Sequence, residues 1–158
     1  MPVMEVLNDK VAQELLGSRE LAKLAYNWMD GTPRVVPVWF HWDGREIVLG
    51  TPATAPKVKA LEARADVALT IDTTSWPHHV LLIRGVAKVE HMARVVPEYA
   101  LAAERYLGPE QGQAWVAQAG GMLRDWARVA ITPTHARVLD FEARFPSAIA
   151  KAMAAAQG

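Results

Sequence analysis

The sequence predicts a mainly β protein with helices, an α+β fold whose strands pair antiparallel. Residues Arg34 to Trp42 and Glu46 to Thr51 are rich in β-branched and aromatic side chains, and the Asp43-Gly44 pair between them suits a tight hairpin turn. Val80 to Val89 is the longest β-like run in the chain. Helical periodicity appears in separate segments, of which residues 91 to 125 form the largest.

The N-terminal segment adds one short helix and one further strand. Leu7 to Leu16 has apolar residues at helical spacing after an Asn8-Asp9 cap candidate. Leu21 to Met29 reads as a strand, which Asp30-Gly31 joins to the next strand as a hairpin. We therefore expect a three-stranded antiparallel meander at the start of the sheet.

Pro37 lies inside the first strand of the Asp43-Gly44 hairpin. Because proline has no N–H to donate, this strand should lie at a sheet edge, at a bulge or at an opening in the sheet. An opening of this kind could receive a flat ligand.

A helix is predicted from Pro56 to about Arg64, with Thr54 as a candidate cap. Lys57 and Lys59 fall in its first turn, where the helix dipole disfavours cations by roughly 0.3 to 1 kcal/mol each. Free N–H groups and the two ammonium groups could together hold a phosphate. The alternative is a solvated helix on which Lys59 pairs with Glu62.

The C-terminal half alternates helical and β-like segments. One helix should end at Gly108-Pro109, and a second should run from Pro109 to about Gly120. Strands are expected at Val67 to Ile71, Val129 to Thr132 and Ala136 to Phe141. Pro133 should separate the last two, and Gly85 predicts a bulge in the long Val80 strand. The alanine-rich segment Pro146 to Ala156 reads as a helix, either a dimer arm or a frayed tail.

Composition limits the classes of function. The 158 residues, 51% of them hydrophobic, suit a single domain, residues 1–158, with a helical insertion at about 91–125. Seventeen basic and seventeen acidic residues give no signature of binding to nucleic acid or an anionic membrane. The absence of cysteine excludes disulfides and thiolate chemistry. Without a spanning apolar run or a signal-like start, we expect a cytoplasmic protein with a small-molecule partner.

The familiar catalytic patterns are missing from the sequence. None of the five histidines has the spacing of a zinc site, and His78 and His79 on one strand would face opposite sides, so no metal is predicted. No serine sits in a nucleophile elbow, and no glycine-rich phosphate motif occurs. Five of the six tryptophans could stack on a flat cofactor, although packing is the commoner role: Trp39, Trp42, Trp76, Trp115 and Trp126. Trp76, in the loop before the long strand, is the best candidate.

Several segments together resemble the flavin-binding split-barrel family related to pyridoxamine 5′-phosphate oxidase. They are PRVVPVWFHWDGREIVLGTP, PKVKALEARADVALTID and SWPHHVLLIRGVAKVE, and ARVAITPTHARVLDF is similar to the closing strands of that family. The resemblance spans roughly residues 18 to 141. It implies an antiparallel six-stranded split β-barrel, a homodimer, and FMN bound in a groove between the two chains.

The resemblance also implies cofactor-binding residues. The backbone around Val36, Pro37 and Val38 would border the ring system, Thr51 would begin the phosphate site, and the Trp76 loop could reach across the dimer interface. Lys57 and Lys59 match the basic pair that binds the terminal phosphate.

The chain departs from the family at two places. It has Ala53-Thr54-Ala55-Pro56 where family members often have glycine with arginine. The substrate-binding Arg-and-His pattern of true pyridoxamine phosphate oxidases is not evident in ARVLDFEARFP, so vitamin B6 synthesis is not predicted. Catalytic side chains stay unassigned, as expected if a cofactor carries the redox chemistry.

Three functions therefore remain open. The first is an FMN-dependent oxidoreductase. The second is a reductase that uses the deazaflavin coenzyme F-420, whose longer anionic tail would also need Lys57 and Lys59. The third is a flavin-binding or cofactor-free module without enzymatic activity.

Overall fold

The computed structural model describes residues 1–158, in which six helices cover one seven-stranded antiparallel sheet. The helices are α1 (Val3–Leu7), α2 (Lys10–Leu16), α3 (Pro56–Ala63), α4 (Pro97–Leu107), α5 (Pro109–Met122) and α6 (Ser147–Gln157). The strands are β1 (Ala22–Asn27), β2 (Pro33–Val38), β3 (His41–Trp42), β4 (Ile47–Pro52), β5 (Asp66–Asp72), β6 (His79–Met92) and β7 (Trp126–Asp140). The structure confirms the predicted α+β class.

The strand order is β2-β1-β5-β6-β7-β4-β3. The two edge strands, β2 and β3, are separated in the chain only by Trp39 and Phe40. Because so short a link spans the two edges, the sheet must curl until they nearly meet. The edges do not pair with each other, so the sheet is an open, split barrel. The predicted edge position of the Pro37 strand is confirmed, since β2 pairs only with β1.

The predicted three-stranded meander is wrong. β1 and β2 do form a hairpin, but β2 does not continue into the hairpin at Asp43-Gly44. The strand ends before Phe40, whose side chain is fully buried. The Arg105 guanidinium lies over the Phe40 ring and donates a hydrogen bond to the Phe40 carbonyl oxygen. Only β3, two residues long, then pairs with β4. A single expected strand is thus divided between opposite edges of the sheet, and the sheet has seven strands where the resemblance implied six.

The two longest strands, β6 and β7, pair along their whole length with one irregularity between Arg84 and Gly85. This confirms the predicted bulge. A Cβ on Gly85 would lie only 2.5 Å from the Thr132 carbonyl oxygen, so the close approach requires glycine. The expected separation of two strands at Pro133 is wrong: β7 runs through Pro133, which lies opposite Gly85 at the bulge, where the regular ladder is already interrupted.

The core fills the concave side of the curled sheet. Alternate residues of the strands point into it, and α2 and α3 add apolar side chains at its ends. The largest fully buried side chains of this cluster are Phe40, Leu7, Leu15, Leu16, Leu24, Ile47, Leu49, Leu61, Leu69, Ile71 and Leu81. Burial of each such side chain contributes about 1.5–3 kcal/mol of transfer free energy, so this cluster stabilises the barrel that positions the surface groups.

The helices follow the predictions with two exceptions at their starts. The predicted N-terminal helix is two helices, α1 and α2, and Asp9 caps the second by accepting the Val11 N–H at 2.9 Å. α3 has Ala55 as its N-cap and no side-chain cap, so the Thr54 cap was wrong. α4 and α5 form a hairpin against β4. α6 buries none of its residues.

No helix is both long enough and apolar enough to pass through a membrane.

Candidate functional site

Thr51 is one of only two buried polar residues, with 4% of its surface exposed. It lies near the end of β4 and shares the core-facing side with Ile47 and Leu49 because strand residues alternate. Its hydroxyl makes no hydrogen bond within the chain, and because every fully buried side-chain N or O atom has a partner, this oxygen keeps some access to the surface. The predicted start of the phosphate site is therefore an accessible hydroxyl without a partner in the chain.

The start of α3 follows Thr51 after a short loop. Ala53 is tied down through its N–H, which donates to the Asp125 carbonyl oxygen at 3.0 Å. The Lys57 N–H makes no hydrogen bond, as expected in the first turn of a helix that has no side-chain cap. No acidic residue lies in this turn. An anion placed here would meet a free donor and the positive end of the helix.

Lys57 is half-buried and has no ion-pair or hydrogen-bond partner. On the helix it lies on the same face as Ala60 and Leu61, which belong to the core. Removal of its ammonium group from water lowers the pKa of Lys57. A partly dehydrated cation without an anion costs free energy in the folded chain, so this position favours a bound anion.

Lys59 has a different environment. Its side chain is exposed, and its Nζ lies 5.1 Å from the centre of the Trp28 ring, a cation–π contact. Side chains two positions apart on a helix point in nearly opposite directions, so Lys57 and Lys59 do not lie on one face. The alternative Lys59–Glu62 pair is not formed, because Glu62 contacts His91 Nε2 at 3.2 Å.

Trp28 and Arg34 are residues that the sequence did not single out. The Arg34 guanidinium carbon lies 5.9 Å from the Trp28 ring centre, so cations from β2 and α3 flank one indole. The Arg64 side chain reaches the adjacent turn at Gly31. Aromatic and basic residues at a hairpin corner are a weak signal in sequence, because only folding brings α3 to this corner.

The predicted ring-binding stretch lies on the exposed edge of the sheet. Val36 and Val38 pack against the core, whereas Pro37 between them is exposed. One backbone side of β2 pairs with β1 and the other has no strand partner. Backbone carbonyl and N–H groups on that side are available to a ligand.

Trp76 is 70% exposed and lies against the rings of His78 and Phe141. The other candidate tryptophans pack within the chain. Trp39 stacks on Tyr106 with 5.2 Å between ring centres, Trp42 contacts the core, and Trp115 donates to the Tyr99 hydroxyl. Trp126 is buried beside Tyr99. Only Trp76 combines an aromatic face with access to another molecule.

No protein-family model and no curated protein sequence matches this chain. Solved structures do match its fold. An F-420 reductase shares 23% identity over 79% of this chain and 94% of its own, with a TM-score of 0.61. A putative pyridoxamine 5′-phosphate oxidase from Listeria innocua shares 17% identity over 80% and 94% of the two chains, with a TM-score of 0.56. HutZ, a heme storage protein from Vibrio cholerae, shares 16% identity over 80% and 90%, with a TM-score of 0.60.

The names of these three proteins thus refer to different small molecules, and sequence identities this low establish the architecture alone. The strand order and the two nearly meeting edges agree with that architecture. The chain has the split-barrel fold of pyridoxamine 5′-phosphate oxidase-type proteins.

Proposed function

We propose that this protein is an oxidoreductase that binds FMN, with the terminal phosphate of the cofactor at the start of α3. The observation that carries the proposal is a set of three unpartnered groups at the β4–α3 junction: the Thr51 hydroxyl, the Lys57 N–H and the Lys57 ammonium group. All three donate, and no carboxylate competes within the first turn. A phosphate is the ligand type that satisfies several donors and a cation at one point.

The ring system would lie along the free edge of β2, near Val36, Pro37 and Val38. The edge backbone offers hydrogen-bonding groups, and exposed Pro37 gives an apolar surface beside them. Trp76 would cover the ring from a second copy of the chain. When bound, the flavin supplies hydride and electron transfer, while the protein residues bind it, orient it and exclude water.

A deazaflavin is the second candidate, favoured by the cations beyond Lys57. Lys59 and Arg34 flank Trp28, and none of Arg34, Lys59 and Arg64 is paired with a carboxylate. A single phosphate would engage the first turn of α3, whereas a longer anionic tail could continue to this corner. The fold similarity to an F-420 reductase agrees with this alternative.

The chromophore test separates these functions. The protein is purified and its absorption spectrum recorded, and cofactor-free protein is then titrated with FMN, coenzyme F-420 and hemin. Tight binding of FMN with reduction of the bound flavin by a nicotinamide donor supports the first proposal. Preference for F-420 supports the second. Binding without turnover with any donor identifies a cofactor-binding module, and binding of hemin alone would contradict both flavin proposals.

We further propose that the functional unit is a homodimer. The exposed Trp76 and the unpartnered helix α6 both present apolar surface, with Ile149 and Met153 one turn apart on α6. An 11-residue helix is marginal in water when it packs on nothing. A second chain that covers α6 would supply the missing contacts.

A further inference from the structure

A groove of about 500 Å³ crosses the convex face of the sheet on strands β5, β6 and β7. Its outward-facing side chains come from two rows of paired residues. Ala68, Arg84 and His135 form one row, and Thr70, Leu82 and Arg137 form the other. The small Ala68 leaves space beside larger neighbours, so the rows form a trough with an apolar floor.

The groove is positively charged and has no counter-charge of its own. None of its nine lining residues is acidic. Arg84 makes no side-chain hydrogen bond or ion pair, and Arg137 donates only to the Ser147 hydroxyl at 3.0 Å. Two guanidinium groups therefore stand at one apolar trough without a carboxylate partner.

His135 is oriented by its neighbour on the bulge. The Thr134 hydroxyl donates to the Arg84 carbonyl oxygen at 3.2 Å and lies 3.1 Å from His135 Nδ1. Because the hydroxyl has one proton, its oxygen accepts from Nδ1–H, which leaves Nε2 without a partner. The bulge thus holds a third polar group beside the two arginines.

We propose that this groove binds a flat apolar molecule that carries a carboxylate. The ring would lie over Ala68 and Leu82, while the carboxylate would accept hydrogen bonds from Arg84 and Arg137, whose forked donors match its two oxygens. A second cavity of about 260 Å³ shares Ala68 and Arg84 with the groove and extends toward Ala25, and Asp66 is the one acidic residue in its lining. This site is separate from α3, and the proposal does not rest on flavin binding.

The test uses isosteric probes on the whole protein. Calorimetric titration compares 1-naphthoate with the neutral 1-naphthamide and with acetate. Wild-type protein should bind 1-naphthoate about tenfold more tightly than 1-naphthamide, because charge-assisted hydrogen bonds are worth that much or more. Acetate should bind too weakly to measure, since it lacks the apolar body.

Variants then locate the site. The Arg84→Gln, Arg137→Gln pair should bind both naphthyl probes within about twofold of each other. The control pair Arg94→Gln, Arg124→Gln, which removes equal charge from exposed positions without ion pairs, should keep the tenfold preference. Ala68→Leu should abolish binding of both probes by filling the floor. Three results would overturn the proposal. The wild type could bind both probes with equal affinity, or the Arg84 and Arg137 variant could keep the preference for 1-naphthoate. The third is that neither probe shows saturable binding because a second copy of the chain fills the groove.

Discussion

Asp140 is the residue on which the C-terminal connection depends. Its carboxylate accepts the backbone N–H groups of Ala143, Glu142 and Arg144, and it pairs with the Arg144 side chain at 2.8 Å. Hydrogen bonding, first from the Ala143 N–H and then from Arg144, holds the pKa of Asp140 far below its usual range. Arg144 also pairs with Asp9 at 2.7 Å, so this group ties the end of β7 to the start of α2.

The first prediction concerns Asp140→Asn and pH. A carboxylate with a depressed folded-state pKa stabilises the fold above its unfolded pKa of about 3.9, and that contribution is lost as pH falls below it. The substitution should lower the free energy of unfolding by about 2 kcal/mol at neutral pH. Denaturant unfolding from pH 7 to pH 2.5 should show the difference from wild type shrinking below about pH 4. A difference that stays constant with pH would contradict this role.

At the candidate site, the positive charge at the start of α3 was predictable from the sequence, but the directions in which the lysine side chains point were not. The charge at the start of α3 follows from a local pattern, and so does the absence of an acidic partner in that turn. Lys59 lies over Trp28, whereas Lys57 is half-buried. This difference depends on which face of α3 the barrel covers. His135 was missed because its contact with Thr134 and Arg84 arises from a bulge that joins two distant strands.

At the scale of elements, the α4–α5 hairpin depends on a close approach to β4. A Cβ on Gly50 would lie 2.6 Å from the Tyr99 Cβ and 3.0 Å from the Val96 Cβ. The second prediction is that Gly50→Ala lowers the free energy of unfolding by about 1–3 kcal/mol, because α4 must shift away from the strand. Thermal unfolding followed by circular dichroism measures the effect.

The matched control is Gly121→Ala, at an exposed helix position where a Cβ meets nothing within 4 Å. It should raise stability by about 0.5–1 kcal/mol through helix propensity. If both substitutions changed stability equally, the contact between α4 and β4 would not be the cause.

The third prediction concerns α6, which buries no residue in its own chain. Removal of residues 147–158 should therefore leave the melting temperature of the remaining chain within a few degrees at high dilution, yet shift the protein from dimer to monomer. Light scattering at micromolar concentration measures the mass of both forms. An unchanged dimer after truncation would assign α6 to a frayed tail, and a monomeric full-length protein would contradict the dimer proposal.

Across the whole molecule, local signals in the sequence were sufficient to predict most elements but not how the strands are arranged. The Asp30-Gly31 and Asp43-Gly44 turns and the Gly85 bulge rest on dipeptide or single-residue chemistry, and all three occur at those positions. The division of residues 33–42 between opposite edges had no such signal. It depends on Phe40, whose burial and contact with Arg105 come from elements far along the chain.

The proposed cofactor site depends on the start of α3 binding an anion. The fourth prediction is that the Lys57→Ala, Lys59→Ala double substitution weakens binding of FMN or F-420 about a hundredfold or more, because charge-assisted hydrogen bonds to phosphate contribute roughly 1.5–3 kcal/mol each. Most of the loss should appear in Lys57→Ala alone. Lys10→Ala, at an exposed lysine that starts α2 and has no ion pair, is the control and should bind like wild type.

The most direct measurement is a titration of cofactor-free wild type and the double variant with each cofactor at two salt concentrations. Wild-type affinity should fall more steeply with salt than that of the variant, since a phosphate contact is screened. Affinities that agree within about twofold, with equal salt dependence, would contradict the anion site, since exposed lysines contribute only about 0 to 1 kcal/mol.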